Sequence, residues 1–148
     1  MRREVSVVAA AGLLASCVAL PEDLGIPISA GETIVGQLTE DDHRANDGSA
    51  VDVYVVELEA SETITILVRR GFSRDYSSGF LDPYVYVFDE DRHQLAEDDD
   101  SGDGFDARLV FTAPRTGRYG IVVTTYETRL HRGQYTLVLL DGAHPDAI

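Results

Sequence analysis

From Thr33 to Leu140, apolar and polar side chains alternate in short bursts separated by glycine, proline, aspartate and serine, the period-two signature of half-buried β-strands. Thr33 to Leu38 is the first predicted strand. Val51 to Leu58 places Asp52, Tyr54, Val56 and Leu58 on one side and Val51, Val53, Val55 and Glu57 on the other, so both faces are largely apolar and a central position in a sheet is expected. Thr63 to Arg69 follows a tight turn at Glu59 to Glu62 with Ile64, Ile66 and Val68 on one face, and the two strands read as a hairpin. In the strand Tyr84 to Phe88, Tyr84, Tyr86 and Phe88 alternate with Val85 and Val87, and none of the three aromatics is expected to point into water. Short strands at Gln94 to Glu97 and Arg108 to Thr112 follow. Arg118 to Tyr126 then turns Tyr119, Ile121 and Val123 to one face, and Gly133 to Leu140 does the same with Tyr135, Leu137 and Leu139. About eight short strands with no helical period predict an all-β fold, an antiparallel β-sandwich of jelly-roll type.

The 148 residues suit one domain with a single core. Residues 1–16 read as a signal peptide, 17–30 as a tether, 31–141 as the sandwich and 142–148 as a tail expected to fray. Arg2 and Arg3 form a basic head, and the apolar run Val5 to Ala15 is too short to span a bilayer but fits the core of an export signal. Cys17 is the one cysteine in the chain, so no intramolecular disulfide can form. It closes Leu14-Ala15-Ser16-Cys17, which resembles the bacterial lipobox; an ordinary signal peptide cut after Ala19 is the other reading. Acylation of Cys17 would make the protein an exported lipoprotein of the outer membrane or cell surface, with membrane contact through that anchor.

Charge narrows the partners. Twenty-six acidic residues stand against twelve basic ones, all arginine, for a net charge of -14. That balance argues against nucleic acid or an anionic membrane surface as the main partner and leaves cations, proteins, glycans or extracellular matrix.

Asp98, Asp99, Asp100 and Asp103 crowd around Ser101, Gly102 and Gly104 between two predicted strands. Carboxylates this close repel one another, so the loop needs full solvation, a counter-charge or a metal. Ca²⁺ suits such a set because it accepts many oxygens in loose geometry, and Asp82 or Asp106 could add a ligand. Asp99-x-Ser101-x-Asp103-Gly104 copies the first half of an EF-hand loop, but the twelfth position is Val110 and a strand follows, so an EF-hand is excluded. The other reading is a solvated hairpin end that discourages edge pairing. The metal candidates are therefore Asp82, Asp98, Asp99, Asp100, Ser101 and Asp103. Phe72, Tyr76 and Phe80, on the loop Arg70 to Leu81, either cover a sheet end or contact a partner.

No nucleophile elbow, His-Glu-x-x-His pair, phosphate loop or dinucleotide fingerprint is present. His43, His93, His131 and His144 are scattered through polar segments and read as surface residues. No catalytic residue is assigned and the protein is expected not to be an enzyme.

Six stretches in order carry a family pattern: Gly36-Gln37-Leu38-Thr39, Val53 to Leu58, Asp82-Pro83-Tyr84-Val85-Tyr86-Val87-Phe88-Asp89, Leu95 to Asp100, Phe111 to Tyr119, and Gly133-Gln134-Tyr135-Thr136-Leu137. In this order the chain from Gly31 to Leu140 resembles the bacterial pre-peptidase C-terminal domain. The resemblance implies a non-catalytic jelly-roll sandwich, commonly attached to secreted proteases and related to collagen-binding domains that take calcium. Two departures stand out: Arg92 occupies the place of that family's hairpin glycine, and no protease is fused to the domain. The expected function is a binding or scaffold module at the cell envelope; the alternative is an accessory or inhibitory subunit beside a separate secreted hydrolase or protease.

Overall fold

A computed structural model of the chain describes residues 25–39, 41–45, 48–71, 81–102, 104, 106–125 and 133–148. They form ten strands: β1 (Ile26–Pro27), β2 (Thr33–Leu38), β3 (His43–Arg44), β4 (Ala50–Leu58), β5 (Thr63–Arg70), β6 (Pro83–Phe88), β7 (Gln94–Asp98), β8 (Ala107–Thr112), β9 (Gly117–Thr125) and β10 (Gly133–Asp141). The eight longer strands are those anticipated from the alternation, and the two additions are two-residue pairings onto β4. One sheet has the order β1-β4-β9-β6-β7, with β3 also on β4, and the other the order β2-β10-β5-β8. Apart from the parallel β1–β4 pair, every pairing is antiparallel. The two sheets face each other as a jelly-roll β-sandwich.

The interior is built from the alternate positions that the sequence marks. Tyr54, Val56 and Leu58 of β4 and Tyr119, Ile121 and Val123 of β9 meet Ile64, Ile66 and Val68 of β5 and Tyr135, Leu137 and Leu139 of β10 in one buried cluster. Each side chain of this size contributes about 1.5–3 kcal/mol when fully buried, so this layer dominates the stability.

Several expectations change. The strands before and after Glu59 to Glu62 are not a hairpin: β4 pairs with β9 and β5 with β10 and β8, in opposite sheets. Both strands carry large apolar faces, which two sheets can bury against each other and one flat hairpin cannot. The turn is held as a crossing, with Ser61 in the left-handed region at φ 68°. The Ser61 amide donates to the Ala113 carbonyl and the Ala113 amide to the Glu62 carbonyl, each at 2.8 Å.

The core face of β6 is Val85 and Val87, both fully buried, rather than its aromatics. Phe88 is also buried, and Tyr86 is half-buried, but both lie on the outer face with Val51, Val53 and Val122 in a second, smaller cluster. Tyr84 stacks on Tyr86 with ring centroids 4.4 Å apart, and Tyr86 meets Phe88 at 6.1 Å. Beside a sheet whose inner layer is already filled, the smaller valines fit the interior and Tyr84 and Tyr86 lie half-buried on the outer face.

The expected boundary between tether and sandwich at residue 31 moves back to Gly25. From Gly25 the chain already belongs to the sandwich: Ile26 and Pro27 pair with Tyr54 and Val55, Ile28 is buried, and a side chain at Gly25 would collide with the Val53 carbonyl. The tail at 142–148 is docked rather than frayed. The Thr65 hydroxyl donates to the Gly142 carbonyl and accepts from the His144 amide, and Arg108 Nη1 donates to the Ala147 carbonyl at 3.1 Å.

Candidate functional site

Strand direction sorts the connections into two ends. The turns 59–62, 89–93 and 113–117 lie at one end and are short. The long connections, 39–49, 71–82, 99–106 and 126–132, all leave from the other.

At the short-turn end the β6–β7 hairpin is built around Asp89. Its carboxylate accepts the Asp91 amide at 2.9 Å and the His93 amide at 2.8 Å, an arrangement that fixes the turn. Arg92, at the place of the family's glycine, sits at φ 65°, a conformation that glycine adopts at lower cost. Asp89, Asp91 and His93 then present ligand atoms within 4.8 Å of one another, an arrangement that could hold a metal ion. The guanidinium of Arg115 approaches the same group, 3.0 Å from Asp91 and 3.5 Å from Asp89. These contacts raise the Arg115 pKa from its ordinary value, first through the hydrogen bond to Asp91. Any metal would compete with that internal cation. The hairpin itself is legible in the sequence but this cluster is not; the alternation Asp89-x-Asp91-x-His93 across the turn is the available signal, since it brings two carboxylates and an imidazole to one side.

Next to it the motif from Phe111 to Tyr119 proves architectural. Tyr119 is buried edge-on to Phe111, 5.3 Å between ring centroids, and its hydroxyl donates to the Arg115 carbonyl. Thr116 Oγ1 accepts the Ala60 amide at 2.9 Å, linking the two turns. Glu57, Glu59, Glu62, Thr116 and Arg118 line an open groove of about 640 Å³ beside them.

Between the sheets, Tyr135 Oη donates to Asp52 Oδ2 at 2.5 Å and lies 2.6 Å from Tyr54 Oη. Burial raises the pKa of both tyrosines; for Tyr135 the acceptor role of Asp52 adds to it. The phenols therefore stay protonated and tie β4 to β10.

At the long-loop end the acidic loop crosses from β7 in one sheet to β8 in the other. Asp98 is committed internally: its carboxylate accepts from the Ser101 amide and hydroxyl and, at 2.8 Å, from the Arg108 amide. Asp106 does the same for the Arg70 amide at 3.0 Å, and the Gly102 amide donates to the Asp106 carbonyl at 2.8 Å. Asp100 is exposed and Asp99 half-buried, and Asp100 is shifted to a higher pKa, first by repulsion from Asp99. Asp82 stands just before β6 at the same end. Among the described residues the predicted metal set does not converge as the Asp89 hairpin does. Asp103, Cys17, Phe72, Tyr76 and Phe80 lie outside the described residues.

The model of the bacterial pre-peptidase C-terminal domain family matches residues 50–125, just over half of the chain. No curated protein sequence matches it. Among solved structures, the pre-peptidase C-terminal domain of collagenase from Bacillus anthracis is similar at a TM-score of 0.57 with 21% identity, covering 78% of this chain and 93% of that one. PliG of Aeromonas hydrophila, a periplasmic inhibitor of g-type lysozyme, is similar at 0.54 with 16% identity, covering 80% and 96%. CorA of Methylomicrobium album BG8, a surface-associated copper-binding protein, is similar at 0.51 with 10% identity, covering 80% and 99%. At these identities the three likenesses concern the fold.

Proposed function

Because the chain belongs to the bacterial pre-peptidase C-terminal domain family, we propose that it is an exported, non-catalytic β-sandwich that binds a protein partner at the cell envelope through its long-loop end. The observation that carries this reading is the division of the sandwich into two ends. The short turns are cross-linked to one another through Ser61, Ala113, Thr116 and Ala60 and are occupied in holding the sheets together. The strand ends that flank the four long connections all lie at the opposite end, and loops on a rigid sandwich are where recognition residues are usually placed. Acylation of Cys17 would hold the domain within about 25 Å of the bilayer, the extended reach of the residues between Cys17 and Gly25.

The experiment is site-specific photo-crosslinking in cells. A photoreactive residue at Asp99 should capture one defined envelope protein, and the same residue at Thr116 should not. Capture from Thr116 alone, or from neither position, rejects the long-loop end as the contact surface. Anchoring is tested separately: Cys17→Ala should leave the membrane fraction, and globomycin should accumulate the precursor.

PliG supports the second reading, an inhibitory or accessory subunit, because it carries this fold as an inhibitor of g-type lysozyme. Purified protein added in molar excess to a g-type lysozyme should then reduce lysis of a peptidoglycan suspension, and unchanged lysis counts against that enzyme as the target. Calcium belongs to the proposal as a stabiliser of the acidic loop, with Asp99, Asp100 and Asp103 as ligands, since Asp98 already serves the backbone.

A further inference from the structure

We infer that the chain self-associates through the edge of β2, which among the described strands pairs with β10 alone, by pairing with β2 of a second copy in antiparallel register about a two-fold axis at Val35. Edge strands invite pairing, and folded proteins usually blunt them with charge, proline, bulges or brevity. Among the described residues every other edge is blunted in one of these ways. β1 is two residues long and contains Pro27; β3 is two residues long and contains Arg44. β7 carries Glu97 and Asp98 and faces a register shift in β6, and β8 carries Arg108, held by the docked tail. β2, Thr33-Ile34-Val35-Gly36-Gln37-Leu38, is six residues long with no charge, no proline and no register shift against β10. Val35, facing outward from it, is 69% exposed, the most exposed aliphatic side chain within any strand of the described sandwich.

Charge identifies the occupant. Each chain carries a net charge of -14, so two copies repel across most orientations. The strand positions on the outward face of the β2-β10-β5-β8 sheet hold threonine, glutamine and aliphatic residues together with Arg69 and Arg108, and no aspartate or glutamate. Asp146 in the docked tail is the acid carried over that side, away from β2. This is the face on which two copies can approach with no strand carboxylates opposed. Directly opposed residues in an antiparallel pair share a face, so a two-fold axis at Val35 sets Val35 against Val35 of the second copy and Thr33 against its Gln37. β-branched cross-strand pairs of this kind stabilise a sheet. The result is a continuous eight-stranded sheet with an isologous interface.

Sedimentation equilibrium of the full chain carrying Cys17→Ala, which takes no acyl group, tests this. A monomer–dimer equilibrium is expected, shifting toward dimer as added salt screens the repulsion between copies. Val35→Lys sets two like charges at the axis and should leave only monomer, with a melting temperature that matches the parent's at dilutions where the parent is monomeric, because the side chain is exposed. Leu95→Lys, at an exposed aliphatic on the β7 edge, should dimerise like the parent. A parent that stays monomeric at high concentration and high salt overturns the inference, as does a Val35→Lys chain that still dimerises or a Leu95→Lys chain that does not. None of these outcomes bears on envelope binding by the long-loop end.

Discussion

The phenol ring of Tyr135 occupies the space in which a side chain at Gly36 would stand. The two residues are directly opposed on β10 and β2, and a Cβ built on Gly36 would overlap the ring carbons and hydroxyl of Tyr135. The glycine leaves a slot, and through that slot the tyrosine reaches Asp52 and Tyr54 in the other sheet.

Gly36→Ala should therefore destabilise the domain by about 1–3 kcal/mol, the usual cost of overpacking. Thermal or urea melts read the loss directly. In a double-mutant cycle with Tyr135→Leu the two effects should be strongly non-additive, because the shorter side chain vacates the overlapped space.

Stability should fall in alkali. The pKa values of Tyr135 and Tyr54 are raised in the folded chain above the ordinary 10.0. The unfolded chain thus loses those protons first: the contribution is intact below pH 10, and folding weakens as the pH climbs above it. Urea midpoints measured across the alkaline range should decline in the parent and decline less in Tyr135→Phe, which in turn should cost about 1–2 kcal/mol at neutral pH for the lost bond to Asp52.

Within the acidic loop, the neighbours should separate by role. Asp98→Ala removes an acceptor shared by Ser101 and Arg108 and should cost about 2 kcal/mol, while Asp99→Asn and Asp100→Asn should leave the metal-free melting temperature unchanged or slightly higher through relief of their repulsion. If calcium occupies the loop, millimolar Ca²⁺ raises the melting temperature of the parent by mass action and not that of the Asp99→Asn/Asp100→Asn double variant. Identical parent midpoints in Ca²⁺ and in EDTA would remove calcium from the account.

Ser61→Gly should stabilise the crossing turn by up to about 1 kcal/mol, since the backbone there is left-handed and the residue is exposed. Ser61→Val should do the reverse. Chemical denaturation of the two variants side by side measures the span.

Strand positions could be read from the sequence because a period of two survives wherever one face is buried, as it does from Tyr135 to Leu139. Strand partners could not. The turn at Glu59 to Glu62 is short enough for a hairpin, and its role as a crossing depends on Ala113, which is distant in the chain and close in space. Which face of β6 is inward was hidden for a related reason: Val85 and Tyr86 are both apolar enough for a core, and the choice depends on the volume left by the opposing sheet. The acidic loop was visible as a cluster of charge, but the capture of Asp98 by the Arg108 amide requires β8 to be in place. The family order of motifs was visible too, and the structure supplies its physical content, with Gly36, Tyr119 and Tyr135 serving as joints between strands.

β10 is the last strand in the chain and an interior strand of its sheet, flanked by β2 and β5. Until it emerges, β2 has no neighbour, the β5–β8 pair lacks one side, and the buried phenol of Tyr135 is missing from the centre. The β2-β10-β5-β8 sheet therefore cannot close over the interior before β10 is in place, however early its other strands have formed.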